Sequence, residues 1–417
     1  MHKQNKLRLV LVGVGLSLFV WATWAAWLQW ERKFDPSEDA AAHAPVPLPR
    51  GPAMQPPFLP GTPEGDRATA WADSVMKTLT LPKMIAQLVM PAVYSEKERG
   101  NGDLALKWCR ELGIGGVISM QGGPAAQRAL VQRLQAASAI PLLVTFDGEW
   151  GLSMRLDSTH GFPRALTLGA TDDSVLVREM GRSIARDLKA IGVHVNFAPD
   201  VDVNSNPDNP VIGYRSFGED PLRVSRLGTA YALGLQDERV LATAKHFPGH
   251  GDTDSDSHAT LPTVAHDRKR LNEVELVPFH ALQHAGVGAM MAAHLYIPAL
   301  DTASNRPSTL SPRVIGELLR GEMGYRGLVF TDAMNMKGFS DYKSSPSPSV
   351  DALIAGNDVL LFPDDPFAVV AQVMAAVREG RMDSLQIAEK CRRVLQAKSW
   401  TQAHLPLPDM RLSDLKE

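Results

Sequence analysis

The sequence predicts an α/β protein, a (β/α)8 barrel of the TIM type with an N-terminal transmembrane helix, and three observations carry that prediction. Short apolar runs recur along the chain between longer stretches with helical periodicity. Polar and titratable residues gather just after those runs, at the ends where a parallel barrel keeps its chemistry. A run without a charged residue, long enough to span a bilayer, occupies residues 9–28.

Residues 1–8 carry three positive charges and form a cytoplasmic basic flank. Residues 9–30 are expected to be an uncleaved signal anchor, with Trp21, Trp24, Trp27 and Trp30 as an interfacial belt at its outer end. This arrangement makes the chain a single-pass protein of the inner membrane whose bulk lies in the periplasm. A cleaved signal peptide is the rival, with Thr23-Trp24-Ala25 as its cleavage candidate. No cysteine stands near the run, which rules out a lipid-modified cysteine as the anchor. Residues 31–67 follow as a Pro-rich linker, with nine prolines between positions 31 and 66 and no apolar periodicity.

From residue 68 to 400 the pattern is that of one domain, with 401–417 as a C-terminal tail. Eight runs read as buried strands: Leu88–Ala92, Gly115–Met120, Pro141–Phe146, Val193–Phe197, Ala242–Phe247, Ala289–His294, Leu328–Thr331 and Val359–Phe362. Helical periodicity fills Ala125–Ser138, Asp173–Ile191, Val264–Ala285, Pro312–Met323 and Pro366–Glu379. Ser311-Pro312 is a helix start, a capping hydroxyl followed by proline at the first helical position. Strands alternating with helices call for a parallel sheet covered by helices.

A hydrophobic share of 44% over 417 residues is enough for a substantial core, and a net charge of -3 without a long basic run gives no reason to expect nucleic acid. Cys109 and Cys391 each fall in an amphipathic stretch, so two buried thiols are expected and a disulfide is not required.

The densest chemistry lies in Lys245–His258, which holds one lysine, three histidines and three aspartates in fourteen residues. Asp252, Asp254 and Asp256 alternate as in a calcium loop, but Ser257 and Thr263 stand where that loop needs glycine and glutamate. A zinc or magnesium site from His246, His250, Asp252 and His258 and an ordinary polar loop are two further readings. The favoured one is acid/base chemistry by His258, with Asp256 orienting its ring; it needs no metal and no cofactor. Other polar residues end the remaining runs: Asp147 after the third, Asp200 and Asp202 after the fourth, Lys245 and His246 on the fifth, His294 on the sixth and Asp332 after the seventh. Any one of these is open to a purely structural role as a loop cap or bonded interior histidine, but in a barrel they converge on one pocket.

Three segments together carry a resemblance. Asn196–Pro221, the run Lys245-His246-Phe247-Pro248-Gly249-His250-Gly251, and Phe330-Thr331-Asp332-Ala333-Met334-Asn335-Met336 closely resemble the β-N-acetylglucosaminidases of glycoside hydrolase family 3, over about residues 75–398. The resemblance implies a retaining hydrolase that forms a covalent glycosyl-enzyme on Asp332, with a His258/Asp256 acid/base pair and with Asp147, Arg215, Lys245 and His246 holding the sugar. It implies a carbohydrate partner, terminal N-acetylglucosamine in peptidoglycan or chitin fragments; the chain is expected to act as a monomer. Phosphorolysis, β-glucosidase activity and a non-catalytic peptidoglycan-binding scaffold are the alternatives on the same barrel. One departure stands out: Asp147-Gly148-Glu149-Trp150-Gly151 replaces the family's Asp-Gln-Glu-Gly-Gly, and leaves Trp150 either to stack on a sugar or to pack under the loop.

Overall fold

The computed structural model describes residues 53–96, 98–256, 260–342 and 344–407. Among the described residues the strands are β1 (Val89–Met90), β2 (Ala92–Val93), β3 (Gly116–Ser119), β4 (Leu143–Phe146), β5 (Val195–Asn196), β6 (Leu241–Phe247), β7 (Ala289–Ala292), β8 (Leu328–Thr331) and β9 (Leu360–Leu361). β2 to β8 form one seven-stranded sheet in sequence order, and β1 pairs with β9 in a separate two-stranded sheet. All these ladders are parallel. From β2 to β9 the connections contain helices, as parallel neighbours require, whereas β1 and β2 are separated by Pro91 alone.

The expected closed (β/α)8 barrel of TIM type is therefore corrected to a parallel α/β sheet of half-barrel form beside a two-stranded sheet. The physical reason sits at Pro91. A proline has no N–H to give to a ladder, so the expected first strand divides there. Its front half pairs with β9, through Val89 and Leu360, and its rear half pairs with β3, through Ala92 and Ile118. β8 and β9 form no ladder; an isolated bridge, Phe330 to Val359, and a few backbone bonds such as Thr331 N–H to the Val359 carbonyl join the two segments.

The membrane expectation is corrected as well. No described helix is long and apolar enough to cross a membrane. The run 9–28 itself lies outside the described residues, as do the flank before it and the start of the linker, and a single-pass inner-membrane placement is not retained.

Side chains that alternate along each strand feed two cores, because successive residues of a strand face opposite ways. Ile118, Leu143, Val195, Met291 and Phe330 enter one, where the rings of Phe197 and Phe330 meet edge-on at 5.1 Å. Val117, Val144, Ala242, Met290 and Val329 enter the other, against the covering helices. Among these helices α1 (Ser174–Ala190) and α2 (Pro221–Asp237) are capped by Asp173 and Asp220, whose carboxylates accept the first free N–H groups. They approach closely at glycines: a β-carbon on Gly234 would stand 2.2 Å from the Arg178 carbonyl. The helix expected over Val264–Ala285 is two short ones, Arg268–Glu273 and Val277–His284, since Pro278 can begin a helix but cannot continue one. Ser311 caps the next helix by accepting from the N–H of Val314, and Cys109 and Cys391 are both free and buried.

Candidate active site

The C-terminal ends of β4 to β8 bring the polar residues together. Asp147 follows β4 directly, and its neighbour Gly148 is clamped by Asn196 at the end of β5, whose amide accepts from the Gly148 N–H at 2.9 Å and donates to its carbonyl at 3.0 Å. From α2 the Tyr231 hydroxyl donates to the carbonyls of Gly148 and Glu149. These bonds fix the direction in which Asp147 and Glu149 point.

Lys245, on β6, is buried and reaches both acids. Its ammonium lies 3.1 Å from Asp147 and 2.9 Å from Glu149. Burial alone would discharge the amine, but the two carboxylates outweigh it and keep it protonated. Asp147 takes a second cation, Arg155, at 2.7 Å. Burial works against its ionisation, yet Lys245 and Arg155 hold its carboxyl well below the usual range. Glu149 is ionised in the same way: its burial is overcome by Arg215 and Lys245. Arg215 grips it through Nη2 at 2.7 Å and Nε at 3.0 Å, and turns toward His246 and Asp200, each 3.4 Å from Nη2.

Behind this wall His246 is oriented by a carboxylate. Its Nδ1 lies 2.6 Å from Asp202, which also accepts the backbone N–H groups of His246 and His250. Burial, helped by Arg215, depresses the His246 imidazole to about 4, so at neutral pH the ring is uncharged and Nε2 is its acceptor. His250 is held near 4 as well, chiefly by burial. Asp200 is pushed the other way, upward, by burial and by the neighbouring Asp202. Asp200, Asp202 and His246 bring one ligand atom each within 4.8 Å of one another, the arrangement a divalent ion would need. The Arg215 guanidinium already supplies positive charge to that corner, and the Asp202 bond occupies Nδ1.

Asp332 stands one residue beyond β8, two strands along the sheet from β6, with its Oδ1 accepting the N–H of Ala333 at 2.8 Å. Burial opposes its ionisation; the rings of His246 and His294, the Ala333 N–H and Lys245 overcome that and lower its pKa. An ionised carboxylate facing a cluster of donors is suited to attack an electron-poor carbon.

Of the residues singled out in the sequence, Asp147, Lys245, Arg215 and His246 form one connected cluster. Asp256 is half-buried in the loop after β6, where its carbonyl accepts the Thr260 N–H at 2.9 Å. His258 lies outside the described residues. Sequence reasoning passed over Glu149, which turns out to link Lys245 to Arg215; its position two residues after Asp147 was the available signal. Trp150 packs: the Arg164 guanidinium sits 3.3 Å over its ring, and Tyr214 meets it edge-on.

Residues 80–397 match the glycosyl hydrolase family 3 N terminal domain. The chain is 35% identical over 292 residues to the β-hexosaminidase A of Pseudoalteromonas piscicida, covering 64% of this chain and 48% of that protein. It is 33% identical over 310 residues to a β-hexosaminidase of Alkalilimnicola ehrlichii, covering 70% and 87%. Among solved structures it resembles a glycoside hydrolase family 3 β-N-acetylglucosaminidase from Paenibacillus sp. str. FPU-7, with a TM-score of 0.75, 38% identity, and coverage of 80% of this chain and 65% of that one. The chain thus spans about half the length of the Pseudoalteromonas relative.

Proposed function

The chain belongs to glycoside hydrolase family 3, and from that membership we propose that it is a retaining exo-β-N-acetylglucosaminidase. It releases terminal, non-reducing N-acetylglucosamine from peptidoglycan fragments or chito-oligosaccharides. The observation that carries this reading is a half-buried Asp332 at the end of β8 whose pKa is lowered, against desolvation, by His246, His294 and Lys245, the last of which also holds Asp147 and Glu149. The β-hexosaminidase and β-N-acetylglucosaminidase relatives support the choice of sugar.

In the first step a carboxylate oxygen of Asp332 attacks the anomeric carbon while His258 gives a proton to the departing glycosidic oxygen. In the second, His258 takes a proton from water, whose oxygen attacks the same carbon and frees Asp332. Two inversions return the original configuration. Asp256 orients the His258 ring and stabilises its cationic form. Asp147 keeps lone pairs free after accepting from Lys245 and Arg155, and those accept sugar hydroxyls. Neutral His246 accepts a further hydroxyl through Nε2, while Arg215 gives most of its fork to Glu149 and steadies the wall.

The test is turnover of 4-nitrophenyl N-acetyl-β-glucosaminide against the matching glucoside, with and without phosphate. Preference for the acetamido sugar and no acceleration by phosphate are expected. Asp332→Asn should lose at least about a thousand-fold in kcat, the scale of removing a nucleophile. Folded protein that cleaves neither substrate would overturn the proposal, and release of a sugar 1-phosphate would make the chain a phosphorylase.

A further inference from the structure

His294 follows β7, beside the strand that carries Asp332, and its ring is fully buried. The two steps above give it no part. Three contacts at and beyond its ring nevertheless bear on its proton count. Nε2 lies 3.1 Å from the carbonyl oxygen of Ala333, and Nδ1 lies 2.7 Å from the hydroxyl of Thr309. That hydroxyl is in turn 2.6 Å from the carbonyl oxygen of Ala293.

The two contacts of the Thr309 hydroxyl, at 2.7 and 2.6 Å, are too short to share one hydrogen, so each of the three contacts is assigned its own hydrogen between its heavy atoms. A carbonyl oxygen only accepts, so Nε2 must donate to Ala333 and the Thr309 hydroxyl must donate to Ala293. The hydroxyl has one hydrogen, so Nδ1 must donate into Thr309. A neutral imidazole carries one N–H, and only the cation carries two. Ser308 also donates to the Ala293 carbonyl, at 2.6 Å, but this does not remove the need for a hydrogen between Thr309 and that oxygen.

We propose that His294 is an imidazolium in the resting protein and is the positioning residue for Asp332, anchoring Ala333, whose N–H holds the carboxylate, and supplying the charge that balances it. The proposal rests on the reading of Asp332 as nucleophile. A buried cation is retained only where an anion answers it, and Asp332 is that anion. Among the described residues, Lys245 and His246, both from β6, are further charged or titratable groups that act on Asp332. On its own side His294 meets Phe339, with ring centroids 5.0 Å apart, which keeps water from the ring. The lowered pKa of Asp332, to which His294 contributes, agrees with this arrangement.

The experiment is nitrogen NMR of the full chain with 15N-labelled histidine, the His294 signals being assigned by their loss in His294→Gln or their displacement in Thr309→Val. Two protonated ring nitrogens, persisting to at least about one unit above the ordinary imidazole value near 6.5, are expected. One protonated and one bare nitrogen at neutral pH would overturn the proposal. In kinetics, His294→Gln keeps a donor for Ala333 but no charge, so the acid limb of kcat/KM should move up by about one pH unit. A lower kcat with that limb unmoved would mean a purely structural role and would also overturn it. If His294→Gln does not fold, the wild-type spectrum and Thr309→Val carry the test alone. Asp332→Asn separates the two readings: retained turnover removes the nucleophile, whereas an inactive variant beside a neutral His294 in the wild type removes only this inference.

Discussion

Asp147 accepts from two cations at once, and the site depends on what those bonds leave over. Its oxygens face Lys245 and Arg155, so the carboxylate stays charged although little water reaches it. A carboxylate offers about four lone-pair sites, which leaves acceptors for sugar hydroxyls. Asp147→Asn keeps the shape, weakens the charge-assisted bonds and turns one oxygen into a donor. Since such bonds contribute about 1.5–3 kcal/mol, kcat/KM should fall on the order of ten- to a hundred-fold. Steady-state kinetics on the 4-nitrophenyl substrate check this, and an unchanged kcat/KM would remove Asp147 from the sugar wall. At this scale much of the site was legible in the sequence. Asp147, Lys245, His246 and Asp332 each sit at or just beyond a strand end, where alternation of apolar and polar residues changes to loop chemistry. Glu149 and Tyr231 were not legible in that way, because their importance comes from partners tens of residues distant.

Strands in this protein are tied to one another by side chains as well as by ladders, and His194 is an example. It precedes β5, donates its backbone N–H to the Val144 carbonyl at 2.8 Å, and accepts the Val144 N–H through Nδ1 at 3.0 Å. That acceptor exists only in the neutral ring. Burial, with the charge of Lys398, depresses the imidazole to about 3. In the unfolded chain it titrates near the ordinary value of about 6.5, so between these values the unfolded state binds more protons and wild-type stability falls as pH falls. His194→Asn, which lacks this titration, should gain on the wild type by on the order of a few kcal/mol between about pH 7 and pH 4. Urea denaturation at several pH values measures the gap, and a constant gap would refute the assignment. The element borders show the limits of a one-dimensional reading. The expected first strand kept its place but divided at Pro91, and the expected long helix before β7 divided at Pro278.

Across the whole molecule, the end opposite the site is secured by a buried charge cluster. Asp358, just before β9, lies between Arg320 at 2.6 Å and Arg393 at 2.8 Å, and also accepts the Val329 N–H at 2.9 Å. Burial opposes its charge, but the two guanidiniums outweigh it and depress its pKa. Asp358→Asn would leave two largely buried cations without an anion, a loss of about 3 kcal/mol or more. The sign with pH follows from the depressed pKa. The contribution is present above the unfolded value of about 3.9 and is lost as pH falls through the folded one, so the gap to the variant should narrow in acid. Thermal denaturation at neutral and acid pH tests this, with an unchanged KM showing that the site is untouched. A variant as stable as the wild type would show that the cluster contributes nothing net.

By itself the sequence determined the α/β class, the order of parallel strands and helices, and the family, because hydrophobic period and short motifs are local properties of the chain. The tertiary structure alone decided the rest. It divided the expected barrel into a seven-stranded and a two-stranded sheet, because pairing depends on which N–H groups are free to donate once strands are side by side. It brought Glu149 between Lys245 and Arg215 and placed His294 behind Asp332. Charge states belong to this second class, since burial and a neighbouring charge act through space and leave no pattern along the chain.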